Sequence, residues 1–257
     1  MLPHVDATRY VAPFREGGSL PGLVEATDLG MYVVKFRGAG QGLKVLVAEV
    51  ICAGLARALQ VRTPDLVTIT LPEPIARYEA DEEVQDLLTA SPGSNLGIDF
   101  LPGAFGYDGA RPPDPDEAAA IVWLDALTAN VDRTWANPNL LVWGGHTWAI
   151  DSGAALYFHH SWPRRAPDAA RFAAQPYDAG AHVLAEVSAD VRAAHDRLAA
   201  RLPAAVLESV VADVPQEWLE PTDWLPDAAA VRTAYLQHLT ARLAAPAAWL
   251  PNRGATR

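Results

Sequence analysis

The sequence predicts an α+β fold in two lobes, and three observations carry that prediction. Short β-branched and aromatic runs broken by turn residues dominate the first hundred residues. Helical periodicities dominate the remainder, and early in that second part a polar loop feeds a tight hairpin. The expected division is an N-lobe over residues 1–97 and a C-lobe over 98–257, with GIDFLPG (97–103) as the linker.

Residues 8–14, 23–26 and 31–36 read as strands of an antiparallel meander. The turns between them are Gly17-Gly18-Ser19 with Pro21-Gly22, and Asp28-Leu29-Gly30. A helix is expected over 43–60, because Val45, Ala48, Cys52, Leu55 and Leu59 recur at steps of three and four. Residues 65–71 form a strand fenced by Pro64 and Pro72, followed by a short acidic helix over 81–89 and a Ser/Pro/Gly loop. Asp114-Pro115-Asp116-Glu117 is a strong helix start: an Asp cap, Pro at the first position and Glu three residues after the cap. That helix runs to about Thr128. After the loop NVDRTWANPN come the strand NLLVW, a Gly144-Gly145 turn and the strand TWAI, which delivers Asp151. Further helices are expected over 178–200, 203–212 and 227–244.

Thirty-one acids against twenty Lys and Arg give a net charge of −11. That balance argues against direct nucleic-acid binding, which needs basic stripes to neutralise phosphates. It leaves room for a nucleotide at a local basic site. The single cysteine, Cys52, allows neither a disulfide framework nor a cysteine-based zinc site, and on the apolar stripe of its helix it reads as packing. The opening MLPHVDATRY lacks the charged and apolar regions of a signal peptide. No run approaches the ~18 apolar residues of a membrane span. A soluble cytoplasmic protein without membrane contact is therefore expected.

The chemistry concentrates between Asn130 and Gly153. Asp132 and Asn137 lie five apart on one loop, and the adjacent hairpin presents Asp151 followed by Ser152-Gly153. These three side chains can converge, and oxygen ligands of this kind suit Mg²⁺, which keeps waters and substrate phosphates as its other ligands. Upstream, Lys35 sits in the apolar strand YVVKF. Alternation puts Tyr32, Val34 and Phe36 on one face and Met31, Val33 and Lys35 on the other. An ammonium among apolar neighbours is costly unless it meets a partner or an anion. Glu49 flanks the stripe of the following helix and is placed to face the sheet and pair with Lys35.

The order GGSLPGLVEA, YVVKF, AEV, NVDRTWANPN and AIDSG resembles the HipA-like kinases, in particular their shorter stand-alone branch. The DR-x-x-x-N and ID-x-G patterns are also similar to those of phosphatidylinositol 3-/4-kinases. The likeness covers roughly residues 15–155 and implies a protein-kinase-like fold. It implies that Asp132 positions the acceptor hydroxyl, that Asn137 and Asp151 hold Mg²⁺, and that Lys35 binds ATP phosphates with Glu49 as its ion-pair partner. Gly17, Gly18 and Ser19 would cover the phosphates, with Ser19 a candidate autophosphorylation site. The implied activity is ATP- and Mg²⁺-dependent phosphorylation of Ser or Thr on a protein. The resemblance implies a possible toxin role too, and because the chain carries no helix-turn-helix of its own, any antitoxin-like partner would be a separate protein.

Several features depart from conventional protein kinases. Asn130-Val131 replaces His-Arg before the Asp, Ser152 follows the metal-binding Asp, and an APE motif is missing. A small-molecule kinase of the aminoglycoside or choline phosphotransferase type shares the motif spacing and is the alternative enzyme. An ATP-binding pseudokinase module is the alternative outside catalysis. RGAGQG lies between a strand and a helix, but it lacks the glycine spacing of a dinucleotide fingerprint and reads as a flexible connector. His159-His160 has no third spaced ligand and reads as structural, and Arg133 reads as a tie to a carboxylate or carbonyl.

Overall fold

The computed structural model describes residues 1–15, 20–40, 42–76 and 79–251 of a mixed α+β chain. Contacts divide it into two units, Met1–Leu46 with Pro64–Pro102, and Val47–Thr63 with Gly103–Arg257.

The first unit holds β1 (His4–Pro13), β2 (Gly22–Ala26) and β3 (Met31–Lys35), from which the chain enters α1 (Leu43–Leu59). It returns through β4 (Leu66–Leu71), α2 (Glu82–Thr89) and β5 (Gly93–Asp99). The five strands close into a barrel in the order β1-β2-β3-β5-β4. Its seam is the parallel pairing of β1 with β4, from His4 opposite Thr68 to Asp6 opposite Thr70. Irregularities in β1 between Ala7 and Arg9, and between Tyr10 and Ala12, bend that strand and so help the closure. As alternation requires, Tyr32, Val34 and Phe36 all enter the core, with Val24, Ile69 and Leu71 from neighbouring strands and Val84 and Leu88 from α2.

Strand β5 corrects the sequence reading, which took its first half as a loop and Gly97 as the start of a linker. It lies in mid-sheet, with Leu96 opposite Lys35 on one side and Thr68 on the other. Pairing on both edges overrides its turn-like composition. Gly97 is there for space, because a Cβ would stand 2.6 Å from Val67 Cγ2. The connector after β3 is also less free than expected. The N–H of Arg37 donates to Asn95 Oδ1 at 2.7 Å, and the N–H of Gly38 donates to Ser91 Oγ at 3.1 Å. These donors are committed within the protein, in keeping with the dismissal of a dinucleotide loop.

From Val47 onward α1 is counted with the second unit. Its expected stripe is buried, but so are Val47, Val50, Ile51 and Ala56, so the helix is enclosed rather than amphipathic. Gly54 lets it approach Val210, where a Cβ would meet Cγ1 at 2.8 Å. The short β6 (Phe105–Gly106) precedes α3 (Pro115–Thr128), which starts as expected, with the Asp114 carboxylate accepting from the Asp116 N–H at 2.9 Å. From Ala118 to Thr128 every residue of α3 is buried, making it the central helix of this unit. β7 (Leu140–Trp143) and β8 (His146–Ala149) form the hairpin, and α4 (Ala169–Ala173), α5 (His195–Ala199), α6 (Ala204–Ala212), α7 (Ala228–Leu243) and α8 (Pro246–Trp249) follow.

The helix expected over 178–200 is reduced to α5. Asp178 accepts from the Gly180 N–H at 2.8 Å, His182 Nδ1 from Leu184 at 3.0 Å, and Asp190 from Arg192 at 2.9 Å. These local side-chain bonds hold the backbone in turns and compete with the helix. Among the described residues, no helix is long and apolar enough to cross a membrane.

Arg242 of α7 holds the helical part together. Its guanidinium is fully buried and donates to the carbonyl oxygens of Ala126 on α3, Phe172 on α4, and Gln175. It lies 4.4 Å from the Phe172 ring centroid, while its own carbonyl accepts from the Trp249 indole of α8. Burial pushes its pKa down to about 10, which leaves it cationic at neutral pH. A Lys offers no planar fork for these carbonyls. Arg242→Lys is expected to lower stability by about 2–4 kcal/mol in denaturant unfolding.

Candidate active site

Helix α3 ends where Ala129 turns left-handed at φ 54°, and the N–H of Asn130 donates to Asp125 O at 2.8 Å. Residues 130–139 then fold around a buried ion pair. Arg133 Nε donates to Asp125 Oδ2 at 2.6 Å, with both side chains almost wholly buried. Nη1 of the same guanidinium donates to the carbonyls of Asn139 and Ile150. The expected tie of Arg133 to a carboxylate or carbonyl thus exists in both forms. Asn130 bridges the same carboxylate to the loop, since its Nδ2 donates to Asp125 Oδ1 at 3.0 Å and its Oδ1 accepts from the Asp132 N–H at 3.2 Å. Tyr177 seals this end by donating to Asn130 O at 2.8 Å.

His182 completes the cluster. Its Nδ1 accepts from the Leu184 N–H, so the ring proton sits on Nε2 and faces Asp125 Oδ2 at 2.9 Å. Burial alone would push the Asp125 carboxyl up. The Arg133 charge and the bonds from His182 and Arg133 outweigh it and hold the carboxyl below its usual range.

On this base Asp132 is half-buried. Its Oδ2 accepts from Asn137 Nδ2 at 2.9 Å and from Asn139 Nδ2 at 3.3 Å. The structure therefore brings Asp132 and Asn137 together and adds Asn139, which the spacing argument missed although the sequence NPN displayed it. Asn130, Asp125 and His182 were missed as well. Asn130 was visible only as a departure from the kinase pattern, and the other two had no local signal.

Asp151 reaches this region through the hairpin. Gly144 and Gly145 both have positive φ, 58° and 81°, as a two-residue turn that matches strand twist requires. Leu140 pairs with Ala149, and the Ile150 N–H donates to Asn139 O at 3.0 Å. This register carries Asp151 to the end of the hairpin where the 130–139 loop arrives. Asp151 itself sits at φ 50°, a left-handed conformation that costs a non-glycine residue about 1 kcal/mol. Next to it, the Ser152 N–H donates to Glu49 Oε2 at 3.1 Å. The buried Glu49 thus anchors the backbone that follows Asp151.

Lys35 belongs to the first unit, where it is 5% exposed on β3. Gly17, Gly18 and Ser19 lie outside the described residues. Among the described residues no three His, Cys, Asp or Glu side chains form a metal cluster. His159 is a buried core residue within 2.8 Å of the Tyr235 hydroxyl, and burial pushes the Cys52 thiol up, both in keeping with structural roles.

The hard oxygens of Asn137 and Asp151 fit Mg²⁺ better than a softer metal, since that ion takes few protein ligands and leaves the rest to water and phosphate. Asn137 turns its amide nitrogen to Asp132, which aims its oxygen away from that carboxylate.

Removing Asp125 would strand a buried guanidinium. Asp125→Ala is expected to cost roughly 3–5 kcal/mol in denaturant unfolding. The Asp125 carboxyl has a depressed folded pKa, so its contribution is fully present above the unfolded value of about 3.9 and lost as pH falls through the folded value. Acid titration of stability should show that loss in the wild type and not in Asp125→Asn.

The family model described as HipA-like kinase matches residues 8–250. Among solved structures, the chain is similar to the Helicobacter pylori proinflammatory kinase CtkA, at 12% identity and TM-score 0.54, with 90% of each chain covered. That likeness shows the fold. The Golgi casein kinase matches at 12% identity and TM-score 0.41, covering 100% of this chain and 74% of the other. A comparison with curated proteins returned no match. Matched over nearly its whole length, the chain belongs to the HipA-like kinase family and is a kinase.

Proposed function

We propose that the protein is an ATP- and Mg²⁺-dependent phosphotransferase that acts on a Ser or Thr hydroxyl of a protein. The observation that carries this reading is the polarised carboxylate of Asp132, whose Oδ2 is held by the amides of Asn137 and Asn139. That hold leaves Oδ1 for an acceptor hydroxyl. The hydroxyl oxygen bonds to the γ-phosphorus, the bond to the β–γ bridging oxygen breaks, and the hydroxyl proton passes to Asp132. The amide N–H groups fix the carboxylate so that the acceptor meets a preset geometry.

Asn137 and Asp151 would hold Mg²⁺, which when bound neutralises charge on the phosphates. The strained backbone at Asp151 and its tether through Ser152 to Glu49 suit a side chain whose position matters more than its local stability. From the family resemblance, Lys35 is the phosphate-binding lysine, Glu49 its partner, and Gly17, Gly18 and Ser19 the covering turn. The same resemblance supports residues 1–97 as the nucleotide-binding lobe and 98–257 as the lobe carrying the acceptor site.

Incubation with Mg²⁺ and γ-labelled ATP tests the reading. The wild type should transfer label to protein, and EDTA should abolish transfer. Asp132→Ala should lower it by about 10²–10⁴-fold, and Asp151→Ala should abolish Mg²⁺-dependent nucleotide binding. Label transfer to an amino-alcohol and to no protein would move the assignment to a small-molecule kinase. Full activity in Asp132→Ala would contradict the proposed mechanism.

A further inference from the structure

Two of the large apolar side chains that the second unit exposes lie on the Asp132 loop itself, and a third lies two residues before Tyr107, on which that loop packs. Val131 immediately precedes Asp132 and is 66% exposed, Trp135 follows it by three residues at 58%, and Phe105 on the adjoining β6 stands at 48%. Open apolar surface beside a reaction centre is unfavourable in water until something covers it.

Trp135 is presented rather than loose. The N–H of Thr134 donates to Asn137 O at 3.0 Å and the N–H of Asn137 returns to Thr134 O at 3.1 Å, so Trp135 and Ala136 form the tip of a doubly closed turn. Thr134 is further tied by a bridge to His182. The indole stacks on the buried Tyr107, with centroids 6.2 Å apart and planes at 28°. Gly109 makes the seat. Its φ is +83°, and a Cβ there would stand 2.9 Å from Trp135 Cη2. One part of the ring is therefore fixed by packing while more than half of the residue's surface faces solvent. Hydrogen bonds from Asn130 and Asn137 on the same loop hold Asp132, so indole and carboxylate keep one spacing.

We propose that Trp135 is the residue that selects the acceptor: it packs against a bulky aliphatic or aromatic side chain near the phosphorylated hydroxyl of a polypeptide. This inference rests on the phosphotransferase reading and deepens it. Three residues of chain separate Asp132 from Trp135 by at most about 11 Å between Cα atoms. An extended acceptor rises about 3.3 Å per residue. With its hydroxyl at Asp132, it therefore meets the indole with a side chain no more than three or four residues away. The indole's neighbours, Tyr107 and Gly109, carry no charge, which favours an apolar group over a cation. Aromatic anchors of this kind dominate the energetics of recognition surfaces.

The test is a positional peptide library of Ser and Thr acceptors, phosphorylated by the full-length protein with Mg²⁺ and ATP. At each place from −4 to +4 it compares Leu and Phe with Ala, Arg and Glu. The wild type should prefer Leu or Phe over Ala by about tenfold in kcat/KM at one or two of these places. In Trp135→Ala that ratio should fall towards one, chiefly through KM for the apolar peptide, and Trp135→Phe should restore part of it. A wild type without an apolar preference overturns the proposal, as does a preference for Arg. So does a ratio that survives in Trp135→Ala, or an equal loss on every peptide, which marks a structural role. If no peptide is phosphorylated, ATP hydrolysis separates the failures. Mg²⁺-dependent hydrolysis that is lost in Asp151→Ala sinks the acceptor proposal alone, and its absence in the wild type sinks the phosphotransferase reading with it.

Discussion

The buried pair of Asp125 and Arg133 is the interaction on which the rest of the second unit's site depends. Two charges are taken fully out of water, at a cost that their attraction offsets only if every remaining donor and acceptor is used. Asp125 spends its oxygens on Arg133, Asn130 and His182, and Arg133 extends from Asp125 to the carbonyls of Asn139 and Ile150. The pair thus joins α3, both ends of the 130–139 loop, the residue that follows the last strand of the hairpin and the segment around His182. Its value lies in specifying one arrangement of these pieces. The net energy of a buried ion pair is a smaller matter than the penalty for breaking it.

Asp151 is consequently held from two directions. Arg133 grips the carbonyl of the residue before it, and Glu49 grips the N–H of the residue after it. A side chain carried on a left-handed backbone needs such over-determination, because the local strain would otherwise relax. Asp132 is held in a comparable way, by the Asn130 side chain at its N–H and by Asn137 and Asn139 at its carboxylate. The polar groups proposed for chemistry are thus placed by neighbouring residues, of which Asn130 and Arg133 are themselves bonded to the buried Asp125.

What was legible in the sequence followed the range of the interactions. The start of α3 was readable because Asp114, Pro115 and Glu117 act within one turn. The contact of Asp132 with Asn137 was readable as a five-residue spacing on a polar loop, and the alternation in β3 correctly separated the inward Val34 from Lys35. β5 was not readable, since its strand character comes from β3 and β4 on either side and its own residues spell a turn. The turns that replace a helix over 178–194 depend on Asp and His side chains competing for backbone N–H groups, which a count of helix formers does not register. His182 lies 57 residues from Asp125, and nothing local marks it as part of the site. The motif resemblance compensated for these gaps in function. It led to the kinase family through Asp132, Asn137 and Asp151, residues whose roles are still proposals.

The most direct test of the central claim is a crystal structure with Mg²⁺ and a non-hydrolysable ATP analogue. The expected result is a metal ion bound by Asn137 Oδ1 and the Asp151 carboxylate, with triphosphate oxygens completing its shell. Asp132 should be absent from that shell, with Oδ2 still held by Asn137 and Asn139. A nucleotide bound away from the 130–151 region, or a metal ligated by Asp132 in place of Asn137, would contradict it.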